Sequence, residues 1–129
     1  MVYVLDTHPV AWFVEGSPRL SAAAHAAMSD PTAELILPTM VLVEIKFLYA
    51  KKRVSVNADA VQRNLITATN CVVYPLDERV VSLAPTSLNI HDAIIVATAL
   101  VYRDILKQPV ALITKDADIA RSGLVQTVW

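Results

Sequence analysis

Two glycines in 129 residues leave no material for the Gly-rich loops that cradle phosphates, and they argue against a coil-rich all-β chain. A single cysteine, Cys71, excludes an intrachain disulfide, and no Cys/His spacing supports a zinc site. Set beside Val72 and Val73, it reads as a buried strand thiol, in keeping with a reducing cytoplasm. Charge of one sign is also lacking: 11 basic and 12 acidic residues give a net charge of −1. No global field therefore draws the chain to nucleic acid or to an anionic membrane, and any nucleic-acid contact has to come from a local patch. The longest apolar stretch, residues 93–102, falls short of the roughly 18–20 residues a membrane span needs. The first six residues lack the basic start and apolar stretch of a signal peptide.

What is present is apolar: 55% of the chain, enough to bury the core of one domain but not two. Short, largely apolar runs at residues 2–5, 34–37, 71–74, 110–113 and 124–128 read as strands. Between them lie helical stretches: one opening at His8-Pro9, then 21–29, and 40–52 with Thr39 as N-cap. Others run from Asn57 or Asp59 to about 69, over 77–83 and 90–106, and from about Asp118. Strands buried on both faces that alternate with helices predict an α/β fold, a mainly parallel sheet between two helical layers, as a single domain over 1–129.

In open parallel sheets, ligands bind beyond the carboxyl ends of the strands. Asp6 follows the first strand and Asp116 the fourth, although either carboxylate could equally serve as a cap. Glu44 has Met40, Val41, Phe47 and Leu48 as its helical neighbours, so it is buried or half-buried and needs a partner. That partner is either a core-facing Lys or Arg, or a metal. Asp92 heads the most apolar helix, where the helix dipole favours a carboxylate, and Asn89, His91 or Asp92 itself could cap that helix.

Together, Val4-Leu5-Asp6-Thr7, the Glu44 helix, His91-Asp92-Ala93-Ile94-Ile95-Val96-Ala97-Thr98-Ala99 and Ile113-Thr114-Lys115-Asp116 resemble the PIN-domain ribonucleases. The resemblance is strongest to the VapC-type toxins of toxin–antitoxin pairs and spans the whole chain in matching order. It implies a three-layer α/β/α fold and hydrolysis of RNA phosphodiester bonds with Mg²⁺ or Mn²⁺. By motif, the ligands and catalytic acids fall on Asp6, Glu44, Asp92 and Asp116, supported by Thr7 and Thr114 and, in some relatives, by an acid at the position of Asp118. Asp118 equally suits a cap of the last helix. Lys115 departs from the family, in which a small residue is common at that place. The resemblance further implies a small antitoxin partner and a homodimer, for which Val10-Ala11-Trp12-Phe13-Val14 and Phe47-Leu48-Tyr49 offer apolar surface. Four like charges at close range raise one another's pKa, and a hard cation with oxygen ligands removes that conflict.

Lys51-Lys52-Arg53 is the only basic cluster. It suits either an RNA backbone, together with Lys115, or a solvated helix end. His8, His25 and His91 lack metal-ligand spacing, and Trp12 and Phe13 suit core or dimer packing better than base stacking. Two rivals compete with a nuclease. A PIN-like module that binds RNA or protein without cutting is disfavoured by the complete acid set. A receiver-type phosphoacceptor domain would need paired acids after the first strand, where Asp6 stands alone.

Overall fold

Apolar strands and helices alternate along the chain, and the computed structural model, which describes residues 1–129, shows how that alternation packs. The strands are β1 (Val2–Leu5), β2 (Glu34–Pro38), β3 (Cys71–Tyr74), β4 (Val110–Ile113) and β5 (Thr127–Val128). All neighbouring pairs are parallel, in the order β3-β2-β1-β4-β5. Every residue of β4 is buried, and successive side chains point to opposite faces, so helices must cover both sides of the sheet. The α/β/α architecture expected from the sequence is the one found.

The helices are α1 (Thr7–Glu15), α2 (Ala22–Ser29), α3 (Thr39–Ala50), α4 (Ala58–Ala68), α5 (Glu78–Leu83), α6 (Ile90–Leu100) and α7 (Ala117–Ser122). Their starts follow side-chain chemistry. Asp6, Ser21, Asn57, Asp77, Asn89 and Asp116 each accept a backbone N–H of the turn they open. Gly16 ends α1 at φ 66°, a left-handed conformation that glycine adopts without a Cβ penalty. Helix α6 lies against β1 and β4, with Ile95, Val96, Ala97 and Ala99 fully buried. No helix is long and apolar enough to cross a membrane.

Several local expectations are corrected. Thr39 is not a cap: Pro38 precedes α3 without a side-chain hydrogen bond, and Thr39 Oγ1 instead accepts the Leu76 amide at 3.2 Å. That bond ties α3 to the segment after β3. The helix expected over 90–106 is α-helical only to Leu100, then widens into a π-helical turn, Val101–Ile105, closed by the Leu106 amide on the Val101 carbonyl at 3.0 Å. Within that turn Tyr102 is buried and packs edge-on to Tyr74, ring centres 5.6 Å apart. The last strand is only Thr127–Val128, because a turn through Gly123 in the left-handed region occupies the residues before it. Helix α3 stops at Ala50, so Lys51-Lys52-Arg53 lies beyond it, with Lys52 at φ 59°. Val10, Ala11 and Trp12 belong to the chain's own core, which removes most of the apolar stretch in α1 from any dimer surface.

Because α6 is wedged against the two strands that carry the site, truncating its core face should cost heavily. Ile95→Ala is expected to destabilise the fold by about 2–5 kcal/mol, read as a lowered urea midpoint at unchanged m-value.

Candidate active site

Strand register builds the site. Leu5 is paired with Ile113, so the residues that follow, Asp6 and Thr114, leave adjacent strands side by side at the carboxyl edge. The Asp6 amide extends the ladder to the Ile113 carbonyl at 3.1 Å. The Asp6 carboxylate then accepts at both oxygens, from the Thr7 amide at 2.7 Å and from the Thr114 hydroxyl at 2.6 Å. Thr114 Oγ1 itself accepts the Asp116 amide at 3.0 Å, which fixes the backbone that carries Asp116. On the other side, buried Thr7 donates its hydroxyl to Glu44 Oε1 at 3.0 Å, joining α1 to α3. Nδ1 of His91, on α6, stands 3.7 Å from Glu44 Oε2.

Asp92 is held by Asn89 in a reciprocal pair. Asn89 Oδ1 accepts the Asp92 amide at 3.0 Å and caps α6, while Asn89 Nδ2 donates to Asp92 Oδ2 at 2.7 Å. Asp116 Oδ1 accepts the Asp118 and Ile119 amides at 2.8 and 3.0 Å and so caps α7. Asp6 and Asp116 both cap the helices they open, and capping leaves their carboxylates at the same sheet edge. In each case the cap bond uses one oxygen; at Asp6 the other accepts the Thr114 hydroxyl, and at Asp116 it accepts no protein hydrogen bond.

These acids feel one another. Burial is the main influence pushing the Asp6 carboxyl up; the Thr114 hydroxyl and Thr7 amide oppose it, and the charge of Asp116 adds to it. Burial likewise raises Glu44, countered by the Thr7 hydroxyl and reinforced by Asp6. For Asp92, burial and then the charge of Asp116 push upward against the Asn89 bond. Three carboxyls from three different elements are thus all biased toward the proton-bound form.

The donor chemistry fits a hard divalent cation: the ligands available are carboxylate oxygens, and each of Glu44, Asp92 and Asp116 keeps one oxygen that accepts no protein hydrogen bond. As the side chains stand, no three His, Cys, Asp or Glu groups converge closely enough to hold one ion. The acids share one edge and one electrostatic field but not one coordination point.

The Thr7 hydroxyl is bonded to Glu44 and the Thr114 hydroxyl to Asp6. The Lys or Arg partner considered for Glu44 is absent; Thr7 and His91 take that place. Asp118 does not cap α7; it is exposed and paired with Arg121. Lys51 and Arg53 line a groove with Met40, Val43, Phe47 and Leu48, and Glu44 and His91 line it too. Lys115 lies over the Trp12 ring, its Nζ 5.6 Å from the ring centre. Cys71 is half-buried, and burial pushes its thiol up to about 11, so it is protonated and inert at neutral pH. Asn89 is the residue whose role the sequence concealed. Its spacing, Asn three before Asp at a helix start, signals a cap, but nothing in it reveals the second bond to the carboxylate.

A family model described as PIN domain matches residues 3–123. Among solved structures, VapBC2 from Rickettsia felis, bound to a DNA fragment from their promoter, superposes with a TM-score of 0.66 at 14% identity, covering 98% of this chain and 97% of that one. VapBC-1 from nontypeable Haemophilus influenzae superposes with a TM-score of 0.62 at 20% identity, covering 98% and 96%. At such identities the likeness speaks for the fold alone. No curated protein matches the sequence.

Carboxyls raised in the folded state bind protons more tightly there than in the unfolded chain. The metal-free protein therefore loses stability as pH rises from about 4 through the folded pKa values. Asp6→Asn removes the most strongly buried of these charges and keeps an oxygen for the Thr7 amide. In EDTA its melting temperature should match wild type near pH 4 and exceed it increasingly toward pH 7; a gap independent of pH would contradict this account. A second test separates the two roles of Asn89. Asn89→Ala should lose about 1 kcal/mol of stability with the cap, whereas Asn89→Ser should keep most of the stability while freeing Asp92 Oδ2. Urea melts and Mn²⁺ titrations of both variants distinguish the effects.

Proposed function

Because the chain belongs to the PIN domain family, we propose that it is a Mg²⁺- or Mn²⁺-dependent endoribonuclease, the toxin of a toxin–antitoxin pair. The observation that carries this reading is the continuous hydrogen-bonded path from Glu44 through Thr7, Asp6 and Thr114 to Asp116, with Asp92 held beside it by Asn89. It unites acids from two strand ends and two helices, and a purely structural role does not call for such a concentration of partly desolvated negative charge.

Asp6, Glu44, Asp92 and Asp116 would hold the ion, directly or through water. When bound, a hard cation lowers the pKa of an attacking water and offsets the charge that builds on the phosphoryl oxygens. The protein's share is orientation. Thr114 and the Thr7 amide hold both Asp6 oxygens, Asn89 turns Asp92, and the α7 amides fix Asp116, so few side-chain torsions have to be frozen when substrate arrives. In the net reaction water adds to phosphorus, one phosphorus–oxygen ester bond breaks, and the departing ribose oxygen takes up a proton. Thr7 and Thr114 act as positioning residues, since each reaches the acids rather than the reacting atoms.

Partner surfaces accord with this role. Phe47 and Val43 on α3 are 63% and 49% exposed. With Met40 and Leu48 they line an apolar groove that also takes in Glu44, which would offer a surface for a small antitoxin or for the second copy of a homodimer. Lys51, Lys52 and Arg53 lie beyond the same helix and would meet RNA backbone. Acting on cellular RNA, it would work in the cytoplasm.

Incubation with total RNA and Mn²⁺ should give discrete fragments that are lost with EDTA and reduced at least about a hundredfold in Asp92→Asn. Identical fragments from both proteins would sink the catalytic assignment. In parallel, Mn²⁺ should raise the melting temperature of wild type but not of Asp6→Asn, because binding relieves the repulsion among the acids.

A further inference from the structure

Next to the acids, the same sheet edge carries a second cluster. The register that sets Leu5 against Ile113 also sets Ile113 against Val128. Asp6, Thr114 and Trp129 therefore leave three adjacent strands in a row, and at the usual strand spacing the backbone of Trp129 lies about 10 Å from that of Asp6. Trp129 is 38% exposed and packs on Trp12, ring centres 5.8 Å apart. Exposed His8 lies against Trp12 at 5.4 Å, and the Lys115 ammonium sits over the same ring. His8 is two residues from Asp6 and Lys115 is adjacent to Asp116, so both are held by the segments that hold the acids.

Core packing accounts for Trp12, which is 9% exposed. It does not call for the three groups around that ring, each of which presents surface to solvent. Lys115 is the informative one. It neighbours Asp116 in sequence yet forms an ion pair with no carboxylate, and instead rests on an indole face where a cation is attracted by the ring quadrupole. Its charge is thus left available. A polyanion approaching this molecule meets an acidic edge and a net charge of −1. General electrostatic attraction cannot hold it, and what can is a local cation together with contacts blind to charge. Stacking of a nucleobase on an aromatic face is such a contact.

We infer that His8, Trp129 and Lys115 form a nucleotide subsite beside the acids, in which an unpaired base of single-stranded RNA stacks on the exposed His8 and Trp129 faces and the Lys115 ammonium meets an adjoining phosphate. The inference rests on the nuclease reading for its ligand, but its test stands apart from cleavage. A strand lying across this edge passes from the cluster to the acids within a nucleotide or two, so the subsite fixes the strand beside the bond that is cut.

The protein supplies its own reporter, since its two tryptophans, Trp12 and Trp129, are both in the cluster. Octauridylate added to the cleavage-blocked Asp92→Asn protein with Mn²⁺ should quench tryptophan emission saturably, while an abasic ribose-phosphate oligomer of equal length should leave it nearly unchanged. In the same background, Trp129→Leu and His8→Ala should each weaken binding of a 5′-labelled octauridylate, followed by anisotropy, by about five- to a hundredfold. Lys115→Gln should flatten the salt dependence of binding by about one phosphate contact. Mn²⁺ affinity should change little in all three. If Trp129→Leu fails to fold, His8→Ala and Lys115→Gln carry the test. Octauridylate that binds by anisotropy without moving the emission, or equal quenching by the abasic oligomer, overturns the subsite and leaves the nuclease reading intact. A protein that neither binds nor cuts RNA overturns both.

Discussion

The parallel pairing of β1 with β4, Leu5 against Ile113, is the constraint on which the rest of the site depends. It sets Asp6 and Thr114 next to each other where the sheet ends and the backbone turns outward. A slip of one residue would turn the Thr114 hydroxyl to the opposite face and leave a desolvated carboxylate without its strongest neutral partner. From that pair the network extends in two directions, through Thr114 to Asp116 and through Thr7 to Glu44. The apolar sheet thus does more than supply stability. By burying β4 completely and β1 nearly so, it gives the acids at its rim a rigid and poorly hydrated setting.

That setting costs folding energy. Burial and mutual repulsion both disfavour the ionised forms of Asp6, Glu44 and Asp92, and hydroxyl and amide donors offset only part of this. The surplus is carried by a core in which Ile36, Ile45, Ile95, Leu112 and Ile113 are fully buried. Asn or Thr at these sites would avoid that cost, so clustered carboxylates here are a feature that stability alone does not account for. The acids share an edge without converging on a point, and each accepts a hydrogen bond from a neutral donor.

How far each feature could be read in advance follows its range in the chain. Strands β1, β3 and β4 were legible because short apolar runs were bounded by Asp, Asn or Pro, and Asp77, Ser21 and Asn57 announced their helices by local capping chemistry. Thr39 misled because its hydroxyl found Leu76, a partner 37 residues away, that no helix-start rule can see. The π-helical turn after Leu100 misled because its apolar pattern matches an α-helix, and the packing of Tyr102 on Tyr74 lies outside that pattern. The apolar stretch in α1 looked available for a partner until the core took up Val10 to Trp12.

The sequence by itself determined which chemistry is possible: oxygen ligands rather than thiolates, three acids at strand ends or a helix start with a fourth, Glu44, inside an apolar helix, and a family pattern that orders them. These are properties of single residues and near neighbours, and local rules carry them. Tertiary structure decided how the acids are partnered and which neighbours join them. Asn89 is bound to the Asp92 carboxylate, Lys115 rests on Trp12 rather than on Asp116, and Trp129 arrives beside Thr114 from the far end of the chain. Such choices depend on strand register and on competition between partners that are distant in sequence. Their energies become comparable only once the sheet has brought those partners within reach.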